Sequence, residues 1–353
     1  MSLSVGIVGF PNVGKSTLFQ ALTQKEVGKL NYPFCTIDPN IGIVSVLDNR
    51  LDKLSRMANS KKTVYSSIKF VDIAGIVEGA NKGEGLGNKF LANIRETDLI
   101  IYVLRAFTDE GVISVRDKID PIEESILLET ELSLKDLDVI EKRMTSLEKE
   151  IRSRKKEAII EMSVIKKAKK AIENGFTLIS LNLSKEEKEI LQSYRFLTMK
   201  PKIYLLNGSS NDISDETRSK LEEYGCPVIS IDIANDLDSS VATEEDNLKI
   251  IDKSKLDILI QESYNLLGLI TFFTVGPEES RAWKIKKETL APDAAGTIHT
   301  DFKSNFIKAD VINWEDLFQV GGLLEAKKRG MIKTEGKNYI IKDGDVVEIK
   351  HGA

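Results

Sequence analysis

Nine residues near the start of the chain, Gly9-Phe10-Pro11-Asn12-Val13-Gly14-Lys15-Ser16-Thr17, constrain the fold more than any other feature. They match the pattern GxxxxGK[ST]. An apolar run from Ser4 to Gly9 precedes them, and a helical pattern through Leu18, Phe19 and Leu22 follows. Strand, glycine-rich turn and helix in that order make a phosphate-binding loop. Gly9 and Gly14 let the backbone curl so that successive N–H groups face phosphate oxygens. The helix that starts near Lys15 adds its positive end. Lys15 then reaches the β- and γ-phosphates as a point charge, and the Ser16 hydroxyl is placed to ligate Mg²⁺. Asn12, Val13, Gly14, Lys15, Ser16 and Thr17 are therefore the expected nucleotide contacts.

The loop predicts an α/β fold, and the rest of the chain agrees. Strand-like runs recur at Ile41–Leu47, Ile68–Val71, Leu99–Leu104, Ile203–Leu206 and Val228–Ile231, with helical patterns between several of them. That alternation predicts a parallel sheet. The middle of the chain breaks it. Leu137, Ile140, Met144, Leu147 and Ile151 are spaced as a heptad seam, and Ala158, Met162, Ile165 and Ile172 form a second stripe. Gly175 is a helix stop, and Ser184 with Glu187 reads as a capping box. Residues 121–200 are expected to form a helical coiled-coil arm inserted between two strands of a nucleotide-binding domain made of 1–120 and 201–266. The segment 267–353 reads as a separate α+β domain. Asp343-Gly344, between Tyr339–Lys342 and Asp345–Lys350, has the look of a two-residue hairpin turn.

Composition narrows the chemistry. With 353 residues, length alone allows about two to three domains. Two cysteines, Cys35 and Cys226, exclude a disulfide framework and a four-cysteine zinc site. Two histidines, His299 and His351, exclude a histidine-rich metal cluster and argue against a Ser/His/Asp triad. The first residues lack the basic region of a signal peptide, and no apolar run approaches the ~20 residues of a membrane span. A cytoplasmic protein without a membrane partner is expected. The net charge of -5 is unevenly spread. Lys142 to Lys170 holds eleven Lys or Arg against four Glu, or +7. Such a segment is either a solvated helix face or a patch for RNA.

Asp72-Ile73-Ala74-Gly75 follows the strand at Ile68–Val71. Its carboxylate is placed to hold Mg²⁺ or its water shell, and the Gly75 N–H to sense the γ-phosphate. Gly79, Gly83, Gly85 and Gly87 mark the following stretch as a switch. Thr36 lies between the two motifs, where a threonine completes the Mg²⁺ shell when the γ-phosphate is bound. Ile76 occupies the position at which Ras-like GTPases orient the attacking water with glutamine, and isoleucine cannot make that hydrogen bond. The base-reading loop is expected after Ile203–Leu206, where Asn207 fits but the chain continues Gly208-Ser209-Ser210, without the aspartate that pairs with guanine. Asn49-Arg50-Leu51-Asp52 and Asn313-Trp314-Glu315-Asp316 look similar but stand in the wrong place. Ser230-Ile231-Asp232 is a further base-side candidate.

These motifs, with Asn31 to Pro39 and the run from Lys82 to Asp98, resemble the YchF, or Obg-like ATPase, family over essentially the whole chain. Arg281-Ala282-Trp283, Ala294 to Phe302 and Lys342 to Val346 resemble that family's TGS domain. The resemblance implies a C-terminal ubiquitin-like β-grasp. It also implies ATP preferred to GTP, association with ribosomes and RNA, and a hydrophobic residue, here Ile76, in place of the catalytic glutamine. In related proteins the P-loop asparagine, here Asn12, ligates K⁺. Lys15 and Gly75 would be the catalytic groups, and Ser16, Thr36 and Asp72 the metal ligands. Two positions depart from the family pattern. Ser210 replaces the glutamate of its NxxE base motif, leaving Asp212 or a backbone group to read the base. Ser114 stands where some members carry a histidine, and serine is no general base near pH 7. A GTP-preferring or general NTPase is the main alternative. A protein that uses nucleotide only to fold is a second. A small-molecule kinase is a third, and lacks a recognisable arginine lid or acceptor pocket.

Overall fold

The computed structural model describes residues 3–24, 40–73, 86–108, 119–233 and 253–352. The chain opens with β1 (Ser4–Val8), α1 (Lys15–Gln24), β2 (Ile41–Val46), α2 (Asn49–Met57), β3 (Thr63–Val64), β4 (Ser66–Asp72), α3 (Leu86–Arg95) and β5 (Leu99–Arg105). Next come α4 (Pro121–Arg152), α5 (Lys156–Glu173), α6 (Lys185–Gln192), β6 (Lys202–Asn207), α7 (Asp215–Glu222), β7 (Val228–Ile231) and α8 (Lys253–Leu266). Strands β1, β2, β4, β5, β6 and β7 form one sheet in the order β2-β4-β1-β5-β6-β7. The apolar runs that predicted strands are all strands. β1 and β5 are buried along their whole length, because helices cover both faces. One expectation changes: the sheet is not parallel throughout. β2 runs antiparallel to β4, from Ile41↔Val71 to Val46↔Ser66, because the two strands are successive arms of one hairpin rather than a crossover pair.

The insertion leaves the sheet after β5 and returns at β6, its parallel neighbour. Asp120 caps α4, accepting from Ile122 N at 3.2 Å and Glu123 N at 3.1 Å, with Pro121 in the first turn. At 32 residues α4 is about 48 Å long. Its heptad seam packs on α5 as expected: Ile140, Leu147, Met162 and Ile165 share one core with Leu191 and Phe196. The capping box of Ser184 and Glu187 is present. Gly175 follows α5 with a φ of 80°. The first turns of α4 do not belong to the arm, however. Leu128 and Leu132 lie in the core of the nucleotide-domain sheet, so the arm separates from the sheet beyond Leu132 rather than at residue 121. Asp136 marks the crossing. It is fully buried and accepts from Leu197 N (2.9 Å), Thr198 N and the Thr198 hydroxyl (both 2.8 Å), tying the outgoing helix to the returning chain.

The C-terminal part contains β8 (Leu269–Thr274), β9 (Ser280–Lys286), α9 (Ala291–Ile298), α10 (Thr300–Ser304) and β10 (Phe306–Asn313). It ends with α11 (Trp314–Val320), α12 (Leu323–Lys328), β11 (Lys333–Glu335) and β12 (Asp345–His351). Its sheet runs β11-β10-β12-β8-β9-β3, with β12 parallel to β8 and antiparallel to β10. That is the β-grasp arrangement implied by the resemblance. Asp343-Gly344 is not a hairpin turn. Tyr339–Lys342 forms no strand beyond one bridge, Leu290↔Ile340. Asp345 instead accepts from Lys342 N at 2.8 Å and the Tyr339 hydroxyl at 2.9 Å, and so turns the chain onto β12.

The last strand of that sheet, β3, comes from far away in sequence. β3 pairs in parallel with β9, Thr63 beside Ser280. α2 goes with it. Asp48 caps α2 by accepting from Arg50 N at 3.0 Å. Leu51 and Leu54, fully buried, pack with Phe273, Ala282, Ile312, Leu317 and Val346. The two rejected base-motif lookalikes meet here. Asn49 begins α2, while Asn313 caps α11 by accepting from Glu315 N at 2.9 Å. Residues assigned by sequence to the nucleotide domain thus complete the C-terminal core. Truncating Leu54 to Ala leaves a cavity in that core, and a loss of about 3 kcal/mol is expected. Trp283 and Trp314 are the only tryptophans and both lie in the C-terminal part. Denaturation followed by tryptophan emission reads the loss directly as a lowered midpoint.

Candidate phosphate and metal site

The loop after β1 has the expected geometry. Asn12 has a φ of 62° and Gly14 one of 101°, left-handed values of the kind that anion-binding backbone nests use. A side chain at Gly9 would place Cβ 2.5 Å from the Val103 carbonyl of β5, so only glycine lets the loop lie this close to the sheet. Lys15 opens α1 and is only 8% exposed. Its Nζ donates to the Phe10 carbonyl at 2.6 Å. Burial holds its pKa below the usual 10.5, while the charges of Asp72 and Glu124 push it back up.

Ser16 and Asp72 come together as expected. The Ser16 hydroxyl donates to Asp72 Oδ2 at 3.1 Å. Asp72 sits at the end of β4, in register with Ile7. Its other oxygen, Oδ1, is buried without a hydrogen-bond partner. A hydroxyl and a carboxylate with one unsatisfied oxygen suit a hard cation such as Mg²⁺. Among the described residues no three His, Cys, Asp or Glu side chains form a cage. Ser16 and Asp72 are thus the part of a cation shell that the described residues offer. Thr36, Gly75, Ile76 and Ser114 lie outside the described residues, as does the glycine-rich stretch from Gly79 to Gly85.

Asn207 sits at the end of β6, buried, and ties three parts of the site together. Its Nδ2 donates to the Val13 carbonyl at 2.9 Å, and its Oδ1 accepts from Ile233 N at 3.1 Å. Its backbone carbonyl accepts from Ala106 N (2.9 Å) and Phe107 N (3.1 Å) at the end of β5. Both side-chain amide atoms therefore face inward, holding the phosphate loop and the chain after β7. The expected base reader, Asp212, is also engaged. Its Oδ2 accepts from Ser209 N at 2.9 Å and the Ser209 hydroxyl at 2.7 Å. Ser230 has a buried hydroxyl without a partner.

Sequence reasoning missed Glu124 and Arg105. Glu124, in the first turn of α4, is buried and accepts from Arg105 N at 3.0 Å. Arg105, also buried, stacks its guanidinium over Phe107, 4.5 Å from the ring centroid. An acid after an Asp-Pro cap marks a helix start, but nothing in that pattern says which way the acid points.

Comparison with known proteins adds independent support. A family model described as "50S ribosome-binding GTPase" matches residues 4–143. A second, described as "Protein of unknown function (DUF933)", matches residues 269–352. Proteins named "Ribosome-binding ATPase YchF" from Bacillus subtilis and Mycoplasma genitalium are each 44% identical to this chain, over 99% of both chains. The Haemophilus influenzae protein of that name is 43% identical over the same share. A solved structure described as "Structure of the Schizosaccharomyces pombe YchF GTPase" superposes with a TM-score of 0.87 at 35% identity, covering 99% of this chain and 98% of that one. Similarity of this extent in both sequence and fold means that the chain belongs to the YchF family.

Proposed function

We propose that the chain is a ribosome-binding nucleotide switch that takes ATP with Mg²⁺ and hydrolyses it slowly. The observation that carries this reading is the trio Lys15, Ser16 and Asp72. A buried ammonium, a helix-start hydroxyl and a half-satisfied carboxylate converge on one phosphate loop. The loop N–H groups and Lys15 hold the β- and γ-phosphates. Ser16 and Asp72, with Thr36, hold Mg²⁺, which neutralises phosphate charge when bound. The Gly75 N–H senses the γ-phosphate. Ile76 and Ser114 supply neither a water-orienting amide nor a base, so turnover by the chain alone is slow. Asn12 is the K⁺ ligand of this reading, the ion adding positive charge where charge develops.

ATP is the assigned nucleotide. The relatives' names divide here: the bacterial proteins are called ATPases, and the fission-yeast structure is described as a GTPase. One observation favours a looser NTPase. Ser210 replaces the glutamate of the family's base motif, and the nearby Asp212 carboxylate is spent on Ser209. Competition between ATP and GTP with Mg²⁺ and K⁺ present decides the matter. A tenfold preference for ATP, about 1.4 kcal/mol, is expected. Equal affinities would make the chain a general NTPase.

The ribosome is the assigned partner, in the cytoplasm, and RNA the assigned contact of the basic arm. Arg143, Lys155, Lys167 and Lys169 of that segment are engaged by Glu150, Glu161, Glu187 and Glu141. Lys142, Arg152, Lys156, Lys166 and Lys170 are exposed without an ion pair. Reversing these five to Glu should weaken ribosome binding and flatten its salt dependence. Unchanged pelleting with ribosomes across a salt series would remove the arm from the contact.

The buried ammonium gives a proton signature. Lys15 in the free chain titrates below 10.5, and a bound triphosphate favours its charged form. Nucleotide binding should therefore take up protons in the alkaline range below 10.5, and affinity should fall as pH rises through the free-chain pKa. Calorimetry in buffers of different ionisation enthalpy measures the uptake, and zero uptake throughout that range would count against a phosphate-bound Lys15.

A further inference from the structure

The connection between β2 and β4 is also part of the C-terminal sheet. Between Val46 and Ser66 the chain leaves the nucleotide-domain sheet, builds α2 and β3 into the second core, and returns. The join is dense. Arg50 bridges Asp48 at 2.7 Å and Asp343 at 2.6 Å, and Asp343 accepts from Thr271 N at 2.9 Å. Backbone bonds cross at Lys61 N to the Pro277 carbonyl and Ser280 N to the Lys62 carbonyl, both 2.9 Å. Lys284 of β9 reaches the Ser67 carbonyl on β4 itself. Lys53 lies over the rings of Trp314 and Phe318.

The other end of the same hairpin is the metal site. β4 ends at Asp72, which meets Ser16, and Asp72 N donates to the Asn40 carbonyl at 2.9 Å. Six paired residues, Ile41↔Val71 to Val46↔Ser66, separate the two ends. That is a span of about 17–20 Å of rigid antiparallel ladder. Asp72 at one end of this ladder is thus linked through continuous pairing and ion pairs to α2, β3 and β9 at the other.

We propose that the β2–β4 hairpin is a transmission element coupling the phosphate and metal site to the C-terminal sheet, so that occupancy of one changes the stability of the other. The proposal rests on the reading of Ser16 and Asp72 as the Mg²⁺–nucleotide site. Coupling is reciprocal: nucleotide binding alters the join, and loosening the join alters nucleotide affinity.

Amide hydrogen exchange on the full chain, with and without Mg²⁺–ATP, tests the first half. The reporters are Lys61, Thr271, Ser280 and Gly344, whose N–H groups bond across or beside the join. A change of threefold or more in their exchange is expected, alongside protection at Leu18, whose N–H bonds to the Gly14 carbonyl within the loop. Change at Leu18 with none at the join would overturn the coupling and leave the nucleotide reading intact. No change at either, with no measurable ATP binding, would overturn both. Arg50→Met and, separately, Asp343→Asn test the reverse direction. Each should speed exchange at Thr271 and shift the Mg²⁺–ATP Kd threefold or more, with neither residue near the phosphate loop. Faster exchange at Thr271 with an unchanged Kd in both variants would overturn the proposal.

Discussion

Burying the Lys15 ammonium is the constraint around which the nucleotide half of the structure is arranged. Removing a lone ammonium from water costs several kcal/mol, and at 8% exposure little of that is recovered from solvent. Three groups offset it: the Phe10 carbonyl at 2.6 Å, and the charges of Asp72 and Glu124. Each is delivered by a different element, namely the loop itself, the end of β4 and the first turn of α4. The loop must then lie hard against β5, which forces glycine at position 9. Glu124 is held in turn by Arg105 N at the end of β5. Burying this one charge thus ties together two strands and the helix that becomes the arm.

Much of this was legible in the sequence, and the exceptions have a common cause. The phosphate loop, the strands, the heptad seam and the Ser184 capping box are local patterns, each set by spacing along the chain. What spacing does not encode is which surface an element meets. Leu51 and Leu54 give α2 an apolar stripe, but a stripe is silent on whether the nucleotide-domain sheet or a sheet 220 residues later covers it. Asp343-Gly344 has the residues of a hairpin turn, yet the Asp343 carboxylate is drawn to Thr271 N and Arg50. Gly344, at a φ of 87°, packs against Trp314. Glu124 escaped notice because inward and outward acids look alike in a first turn. The pairing of Ser16 with Asp72 was legible because both motifs end strand-to-loop transitions whose positions the sheet dictates.

The arm is built to share stiffness with the sheet rather than hang from it. α4 belongs to two cores at once, through Leu128 and Leu132 below and Ile140 and Leu147 above. Asp136 sits between them with its carboxylate saturated by Leu197 and Thr198, so burial, which pushes its pKa up, is countered by three hydrogen bonds. The returning chain also grips α3. Lys200, buried, donates to the Arg95 carbonyl at 3.1 Å and to the Thr97 carbonyl, and Arg195 pairs with Glu96 at 3.1 Å. A cation at carbonyls that end a helix is stabilised by the helix dipole as well as by hydrogen bonds. The helix that follows the DxxG motif is therefore fastened to the base of the arm.

Base selection follows from what the inward-facing groups leave over. Guanine is singled out by a carboxylate that accepts from its N1 and N2 donors, and the third residue after Asn207, where that carboxylate would stand, is Ser210. Asn207 spends both amide atoms on Val13 and Ile233, and Asp212 spends Oδ2 on Ser209. Ser210 has a hydroxyl that donates or accepts equally well, and backbone groups of the loop carry one donor and one acceptor per residue. In the proposed ATP site, such groups would meet the donor and acceptor on the adenine edge without leaving a buried charge unpaired. They also exact little penalty from guanine, since rejection is strongest when a wrong partner strands a buried polar group. On the proposed reading, a site assembled this way would discriminate by tens rather than by thousands, and its choice of nucleotide would be shaped as much by the concentrations it meets as by its own structure.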